Sequence, residues 1–337
     1  MCARAFSDVS GVSYIECMSR RRRYKAIVRF PWGLPVSSDC LGTHLRARID
    51  GRPGELSLPV RRGDEQLAAP VARDGKPLAV QLDNRVRSYP DAWGYPGNPG
   101  TWYVKAAAVS LLLEPEEVSG ATERLMDLQH AFVSWSRIVV EWASAWSREL
   151  MMGFEIDNDP ILHVYSDDGV QLSLSNPRSR TMIVRDVRPM NLAQLTGAIA
   201  RASKGDRLPV EHLTLLYAED AMAAGDLRKS VIDAATATEV ALAATVRSRL
   251  QSKQNHLSSE FIDEVIKDVN GIANLYSLCE RLGEETGVSS KTRLTTQLAN
   301  VRNRAAHAGK EPTLDETDTA VELAMTIVRT LRPLPLA

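Results

Sequence analysis

Leu298-Ala299-Asn300-Val301-Arg302-Asn303-Arg304-Ala305-Ala306-His307-Ala308-Gly309 decides how the C-terminal half of this chain is read. Leu294, Leu298, Val301 and Ala305 recur at i, i+4, i+7 and i+11, the spacing that puts apolar side chains on one face of an α-helix. At about 100° per residue, Asn303 and His307 point away from that stripe and Arg302 lies on its flank. Asn303 and His307 are i, i+4 neighbours and can touch, whereas Arg304 projects away from Arg302 into solvent. Gly309 is the expected helix stop. A polar triplet, Arg302-Asn303-x3-His307, is thus expected near a helix end and aimed away from the helix's own core.

Outward from this stretch, everything after Pro209 carries the helical period. Pro209 suits the first position of a helix running to Ala224-Gly225. Asp226 caps a helix to about Ser252 whose stripe is Val231, Ala235, Thr238, Leu242 and Val246. Ser258 or Ser259 caps the next, with Phe261, Ile262, Val265, Ile266 and Val269 apolar. Ile272, Leu275, Leu278 and Leu282 mark another. The organising helix spans about Ser290 to Ala308. Thr313-Leu314-Asp315-Glu316 opens the last as a capping box, and the helix runs to Leu331. Short loops between amphipathic helices predict an up-down bundle.

Before Lys204-Gly205-Asp206-Arg207, the expected domain boundary, the signals change. Lys25–Trp32, Thr43–Asp50, Glu55–Val60, Pro77–Asp83 and Trp102–Leu113 are runs of strand formers separated by Gly and Pro, with one long loop from Pro90 to Gly100. A helix from about Glu116 to Met152 follows. Leu125, Leu128, Phe132, Trp135, Val139, Trp142 and Trp146 form its heptad seam, to be buried either across the sheet or against a second copy of itself. Ile161–Ser166 and Val170–Ser175 flank a turn at Asp167-Asp168-Gly169, Thr181–Asp186 reads as a strand, and Asn191–Ser203 as a connecting helix. The predicted fold class is α+β. It comprises a β-rich module with one long amphipathic helix over residues 24–206, an all-α bundle over 207–337, and residues 1–23 as a disordered extension, or upstream sequence if Met18 is the true start.

The 337 residues suffice for two domains. A net charge of −1 removes any global bias toward polyanions, so nucleic-acid binding must rest on local patches. Cys2, Cys17, Cys40 and Cys279 show neither C-x-x-C spacing nor a disulfide framework, and a reducing cytoplasmic location is expected. No apolar run reaches the roughly 18 residues of a membrane span. Gly-rich phosphate loops, H-E-x-x-H and G-x-S-x-G are absent from the sequence. Asp157, Asp159, Asp167 and Asp168 sit in turns, where Asp is favoured for backbone reasons, and lack EF-hand spacing; no metal site and no cofactor are expected. Arg178, Arg180, Arg185 and Arg188 make one stretch locally basic. It reads as a solvated strand face or, alternatively, as an RNA-contacting one.

Arg302, Asn303 and His307 within an all-α segment resemble the HEPN family, whose signature is an arginine, a polar residue and a histidine after four to six intervening residues. The run Arg302-Asn303-Arg304-Ala305-Ala306-His307 has four, and it lies late in the segment, before the last long loop and a final helix. The helix from Asp226 to Ser252, with Glu239 near its middle, looks like the family's early helices. The resemblance covers about residues 207–332 and says nothing of residues 1–206. It implies a HEPN-like bundle that dimerises with its motifs facing each other across a cleft, and RNA cleavage without metal, as in toxin and phage-defence nucleases. A neutralising or activating partner protein would fit such a role.

The residues make that chemistry coherent on their own. Histidine can serve as base for a ribose 2′-hydroxyl or acid for a leaving 5′-oxygen. Arginine forks onto phosphate oxygens, and asparagine can orient the imidazole or bind phosphate. One His and one Arg make half a site, which a two-fold copy completes. The competing readings are a histidine that only complements the helix dipole, an ordinary surface Arg302, and a Glu239 that makes an ion pair rather than serving as an accessory catalytic group. At the level of the whole protein, the alternative is a non-catalytic dimerisation or RNA/nucleotide-binding module in a defence or regulatory complex.

Overall fold

β-Branched and aromatic runs form the N-terminal part as antiparallel strands, because such side chains pack well on a pleated surface. The computed structural model describes residues 22–63, 66–71, 73, 93–97, 100–113, 121–147, 162–165, 189–253, 257–269 and 271–335. The strands are β1 (Arg22–Ser37), β2 (His44–Ile49), β3 (Arg52–Ser57), β4 (Val60–Arg62), β5 (Gln66–Ala68), β6 (Gly94–Pro96), β7 (Thr101–Leu113) and β8 (Leu162–Tyr165). The main sheet has the order β2-β3-β7-β1-β8, with β6 on the first half of β7, and β4 and β5 form a separate ribbon. All these pairings are antiparallel.

Two features depart from the sequence expectation. β1 continues past Trp32 to Ser37 by bulging: Arg29 pairs with Ala106 and Leu34 with Val104. Within the bulge Gly33 takes φ +82°, and a Cβ there would meet the Tyr103 Cβ at 2.8 Å, so glycine is required twice over. The stretch expected as one long loop, Pro90 to Gly100, contains β6. Its Tyr95 lies opposite Tyr103 and stacks on it at 5.1 Å, with the Lys105 ammonium 4.8 Å from the Tyr95 ring centre. A cross-strand aromatic pair outweighs the flanking Gly and Pro residues, and nothing local in the sequence announces it.

Helix α1 (Ala121–Ser147) carries the tryptophan seam, and α2 (Leu192–Lys204) follows, opened by a capping box between Asn191 and Gln194. Phe132, Trp135, Val139 and Trp142 are buried in one cluster with Phe30, Leu56, Val109 and Ile199. From Phe132 to Trp142 the seam is therefore core, packed with sheet residues of the same chain; Trp146 is half-buried. The side chains of Leu125 and Leu128 lie outside the described residues. So do residues 1–21, 77–83, 148–152, 170–175 and 181–186, on which other expectations fell.

Gly205 ends α2 in the left-handed region, at φ +76°. Beyond it come α3 (Val210–Ala223), α4 (Leu227–Lys253), α5 (Ser259–Asp268), α6 (Ile272–Arg281), α7 (Lys291–Leu294), a π turn (Thr295–Ala299), α8 (Asn300–His307) and α9 (Leu314–Leu331). Pro209 immediately precedes α3 rather than opening it. Asp226, Ser258 and Thr313 cap α4, α5 and α9 through their side chains, and Thr313 and Glu316 close the reciprocal box at 3.2 and 3.0 Å. Val231, Ala235, Thr238, Leu242 and Val246 are all buried, as the α4 stripe requires. Phe261 is not: it is 50% exposed, so only Ile262 of the α5 apolar set is fully buried.

Buried side chains fall into two clusters. One joins the sheet, α1, α2 and Leu208; the other runs from Leu215 to Val328. Leu213 and Leu216 of α3 pack on the first while Leu215 belongs to the second. The connection between them is pinned: Trp142 Nε1 donates to the Asp206 carbonyl at 2.8 Å, and Arg207 pairs with buried Glu141. No helix among the described residues is long and apolar enough to cross a membrane.

Helix α3 also buries acids. Burial pushes the Glu219 carboxyl up to about 8, with the Arg329 charge opposing, and the Asp220 carboxyl up to about 7, with Lys229 opposing. In the unfolded chain both ionise near their ordinary values of 4.5 and 3.8. Between those limits the folded chain binds more protons than the unfolded one, so the stability these groups contribute is full at low pH and declines as pH rises. The melting temperature is expected to fall from about pH 5 to about pH 8 and then level. Glu219→Gln should remove about half of that slope in calorimetry and Asp220→Asn most of the rest, and a slope unchanged in both variants would assign it elsewhere.

Candidate functional site

Ser290 starts the organising helix by accepting the Arg293 amide at 3.2 Å. The sequence reads one regular helix from there to Ala308; the structure inserts a π turn at Thr295–Ala299. Its cause is local. Thr295 and Thr296 turn their hydroxyls back onto the Lys291 and Thr292 carbonyls, both at 2.9 Å, and the Asn300 amide reaches five residues back to Thr295. Hydroxyl back-bonding of this kind competes with the backbone ladder, and single π turns often adjoin functional sites. The apolar stripe survives the insertion: Leu294, Leu298, Val301 and Ala305 are all buried. After His307 the helix stops as expected, with Gly309 at φ +61° and the Lys310 amide closing on the Arg304 carbonyl at 3.3 Å.

On the opposite face the triplet is assembled, with one change in its internal logic. Arg302, not the Asn303–His307 pair, is the hub. Its Nη1 donates to Asn303 Oδ1 at 3.2 Å and lies 3.5 Å from His307 Nε2. A guanidinium only donates, so in this contact His307 Nε2 is the acceptor. Asn303 and His307 are exposed and Arg302 half-buried. The expected direct contact between Asn303 and His307 is not formed.

Arg304 corrects a second expectation. Its side chain is 41% exposed, yet it is not free: it donates through Nη2 to Glu316 Oε1 at 2.6 Å. Glu316 is also the N3 residue of the α9 capping box, so one carboxylate fixes the start of α9 and the end of α8 together. Its carboxyl is held low, first by the Thr313 amide and then by the Arg304 and Lys310 charges. This linkage leaves Arg302 without a carboxylate partner among the described residues.

Glu239, the candidate accessory residue, is half-buried on α4. Among the described residues neither the expected ion pair nor a hydrogen bond to the triplet is formed. Arg178, Arg180, Arg185 and Arg188 lie outside the described residues, as do Asp157, Asp159, Asp167, Asp168 and His256. Among the described residues no group of three His, Cys, Asp or Glu side chains is placed to hold a metal ion. The described cysteines, Cys40 and Cys279, are buried and their thiols are pushed up to about 12, chiefly by that burial, which makes them poor nucleophiles.

One residue near the site escaped the sequence reading. Arg228, in the first turn of α4, reaches across to the Ala306 carbonyl, with Nη2 at 3.4 Å. No spacing rule links positions 78 residues apart; only the packing of α4 beside α8 brings them together.

Comparison with known proteins returns nothing significant: no family model, no curated protein and no solved structure matches this chain.

Proposed function

We propose that the chain is a metal-independent endoribonuclease of the HEPN kind, with Arg302, Asn303 and His307 as one half of a site completed by a second copy. The observation that carries the reading is the Arg302 guanidinium: it touches both Asn303 and His307 on an exposed face, while Arg304 beside it is neutralised by Glu316. A fixed positive fork next to an accessible imidazole is what a phosphate diester requires.

The reaction uses side chains alone. His307 of one copy removes the proton from a ribose 2′-hydroxyl, whose oxygen forms a new bond to phosphorus. The two Arg302 side chains hold the equatorial oxygens as charge develops. The bond from phosphorus to the 5′-oxygen breaks, and His307 of the other copy supplies that oxygen with a proton. The products are a 2′,3′-cyclic phosphate and a 5′-hydroxyl. Asn303 keeps Arg302 aimed and can itself bind a phosphate oxygen.

The test is the fate of labelled RNAs of varied sequence incubated with purified protein in excess EDTA. Sedimentation is run in parallel, and a two-fold dimer is expected, with the His307 pair within roughly 10 Å across the cleft, a separation one bound phosphate can span with its contacts. Intact RNA throughout would leave a binding or dimerisation module, and a monomer at micromolar concentration would remove the composite site.

A further inference from the structure

Arg207, Arg247, Arg249, Arg304 and Arg332 each pair with a carboxylate: Glu141, Asp263, Glu284, Glu316 and Glu211. Arg302 and Arg228 have none among the described residues, and both engage α8: Arg302 lies on it beside His307, and Arg228 reaches its Ala306 carbonyl. Arg228 is exposed and held only by one neutral carbonyl, Ala306, at the long distance of 3.4 Å. The acid nearest it in its own turn, Asp226, is engaged with the Lys229 amide at 3.0 Å. A guanidinium has five donors, and a single weak bond leaves most of them for an external partner. Ala306 and His307 both belong to the last turn of α8, so an anion held by Arg228 would bind at the helix end that carries His307. Arg228 also belongs to the first turn of a 27-residue helix, where the backbone adds partial positive charge.

Resting on the ribonuclease reading, we propose that Arg228 is a substrate-positioning residue: it grips a phosphate that flanks the scissile one and sets the register of the RNA strand against His307. Arg302 handles the phosphate that reacts; Arg228 handles its neighbour. The site then reads two consecutive phosphates per copy, which favours an extended single strand over a mononucleotide.

The experiment uses full-length protein and an uncleavable single-stranded RNA with 2′-O-methyl sugars, titrated by fluorescence anisotropy over a range of salt. Arg228→Ala is expected to weaken binding about tenfold and to lower the slope of log K against log salt by about 0.7 to 1, the signature of one lost phosphate contact. Arg228→Lys should recover the slope but not all the affinity, because the ammonium keeps the charge and loses the fork. On cleavable RNA the alanine variant should raise KM and leave kcat within about threefold at saturation. Unchanged affinity and slope would overturn the proposal, whether or not the melting temperature drops, since a residue that merely caps α8 moves stability alone. Absence of RNA binding by the wild type would overturn the ribonuclease reading itself, and the wild-type titration separates that failure from the other.

Discussion

His307→Ala is expected to lower RNA cleavage by about 10² or more, and Arg302→Ala by a similar factor. In the proposed reaction the first removes the group that moves protons, and the second removes the charge that faces the phosphorane; the second also removes the donor to Asn303 Oδ1. Neither side chain lies on the buried stripe of Leu294, Leu298, Val301 and Ala305, so melting temperature and assembly should stay near wild type. Asn303→Ala should cost less, because water can replace an amide oxygen as acceptor for Arg302. Arg304→Ala provides the contrast. It breaks the bond to Glu316 at 2.6 Å and should act through the stability of the α8–α9 junction, not through chemistry. Single-turnover rates at saturating RNA, with circular dichroism melts on the same samples, distinguish these cases. Full activity in purified His307→Ala protein would falsify the catalytic assignment.

Trp142→Ala is expected to cost about 3–5 kcal/mol of stability. Trp142 is 2% exposed, and its indole sits between contacts that no smaller side chain reproduces. Nε1 donates to the Asp206 carbonyl, the Arg201 guanidinium lies 4.2 Å over the ring, and Trp146 packs 5.0 Å away. The substitution therefore opens a cavity in the N-terminal core and also releases the connection to α3. Trp142→Phe should recover much of the packing and still lose the indole hydrogen bond, for a cost of about 1–2 kcal/mol. Chemical denaturation checks both; equal losses for the two variants would mean that the hydrogen bond, not the volume, is what Trp142 contributes.

The extent to which the sequence discloses this structure follows from the range of the forces involved. Stripes and caps act within a few residues, and there the reading is direct: the α4 stripe is buried, Thr313 and Glu316 form their box, and Asp226 caps where it should. Pairing between strands is harder to read. The Tyr95–Tyr103 stack, eight residues apart across a hairpin, makes a strand of a Gly- and Pro-rich stretch, and the turn-forming composition of residues 94–100 conceals it. The π turn is an intermediate case. Consecutive threonines at 295 and 296 are visible, yet Thr236, Thr238 and Thr245 back-bond in the same way within regular α4, so the residue type alone does not announce the turn. At the candidate site, the helical period places Arg302, Asn303 and His307 on the solvent side. It does not say that Arg302 becomes the hub, since a long side chain has several rotamers and the neighbouring Glu316 belongs to another helix. Arg228 was beyond reach for the same reason: helix packing sets its place beside Ala306.

Chain geometry also limits what Glu239 can do. It lies eleven residues beyond Arg228 on α4, roughly 16 Å along the helix axis, and no hydrogen bond joins it to the triplet.

The central claim is that the 2′-hydroxyl next to the scissile phosphate is the nucleophile and that no metal is needed. The most direct measurement takes an RNA with one mapped cleavage site and replaces the nucleotide on the 5′ side of that phosphate by its 2′-deoxy counterpart, in excess EDTA. The account predicts that cleavage at that bond disappears while the all-ribose strand yields a 2′,3′-cyclic phosphate and a 5′-hydroxyl. Cleavage of the deoxy-substituted bond, or products bearing a 5′-phosphate, would contradict it.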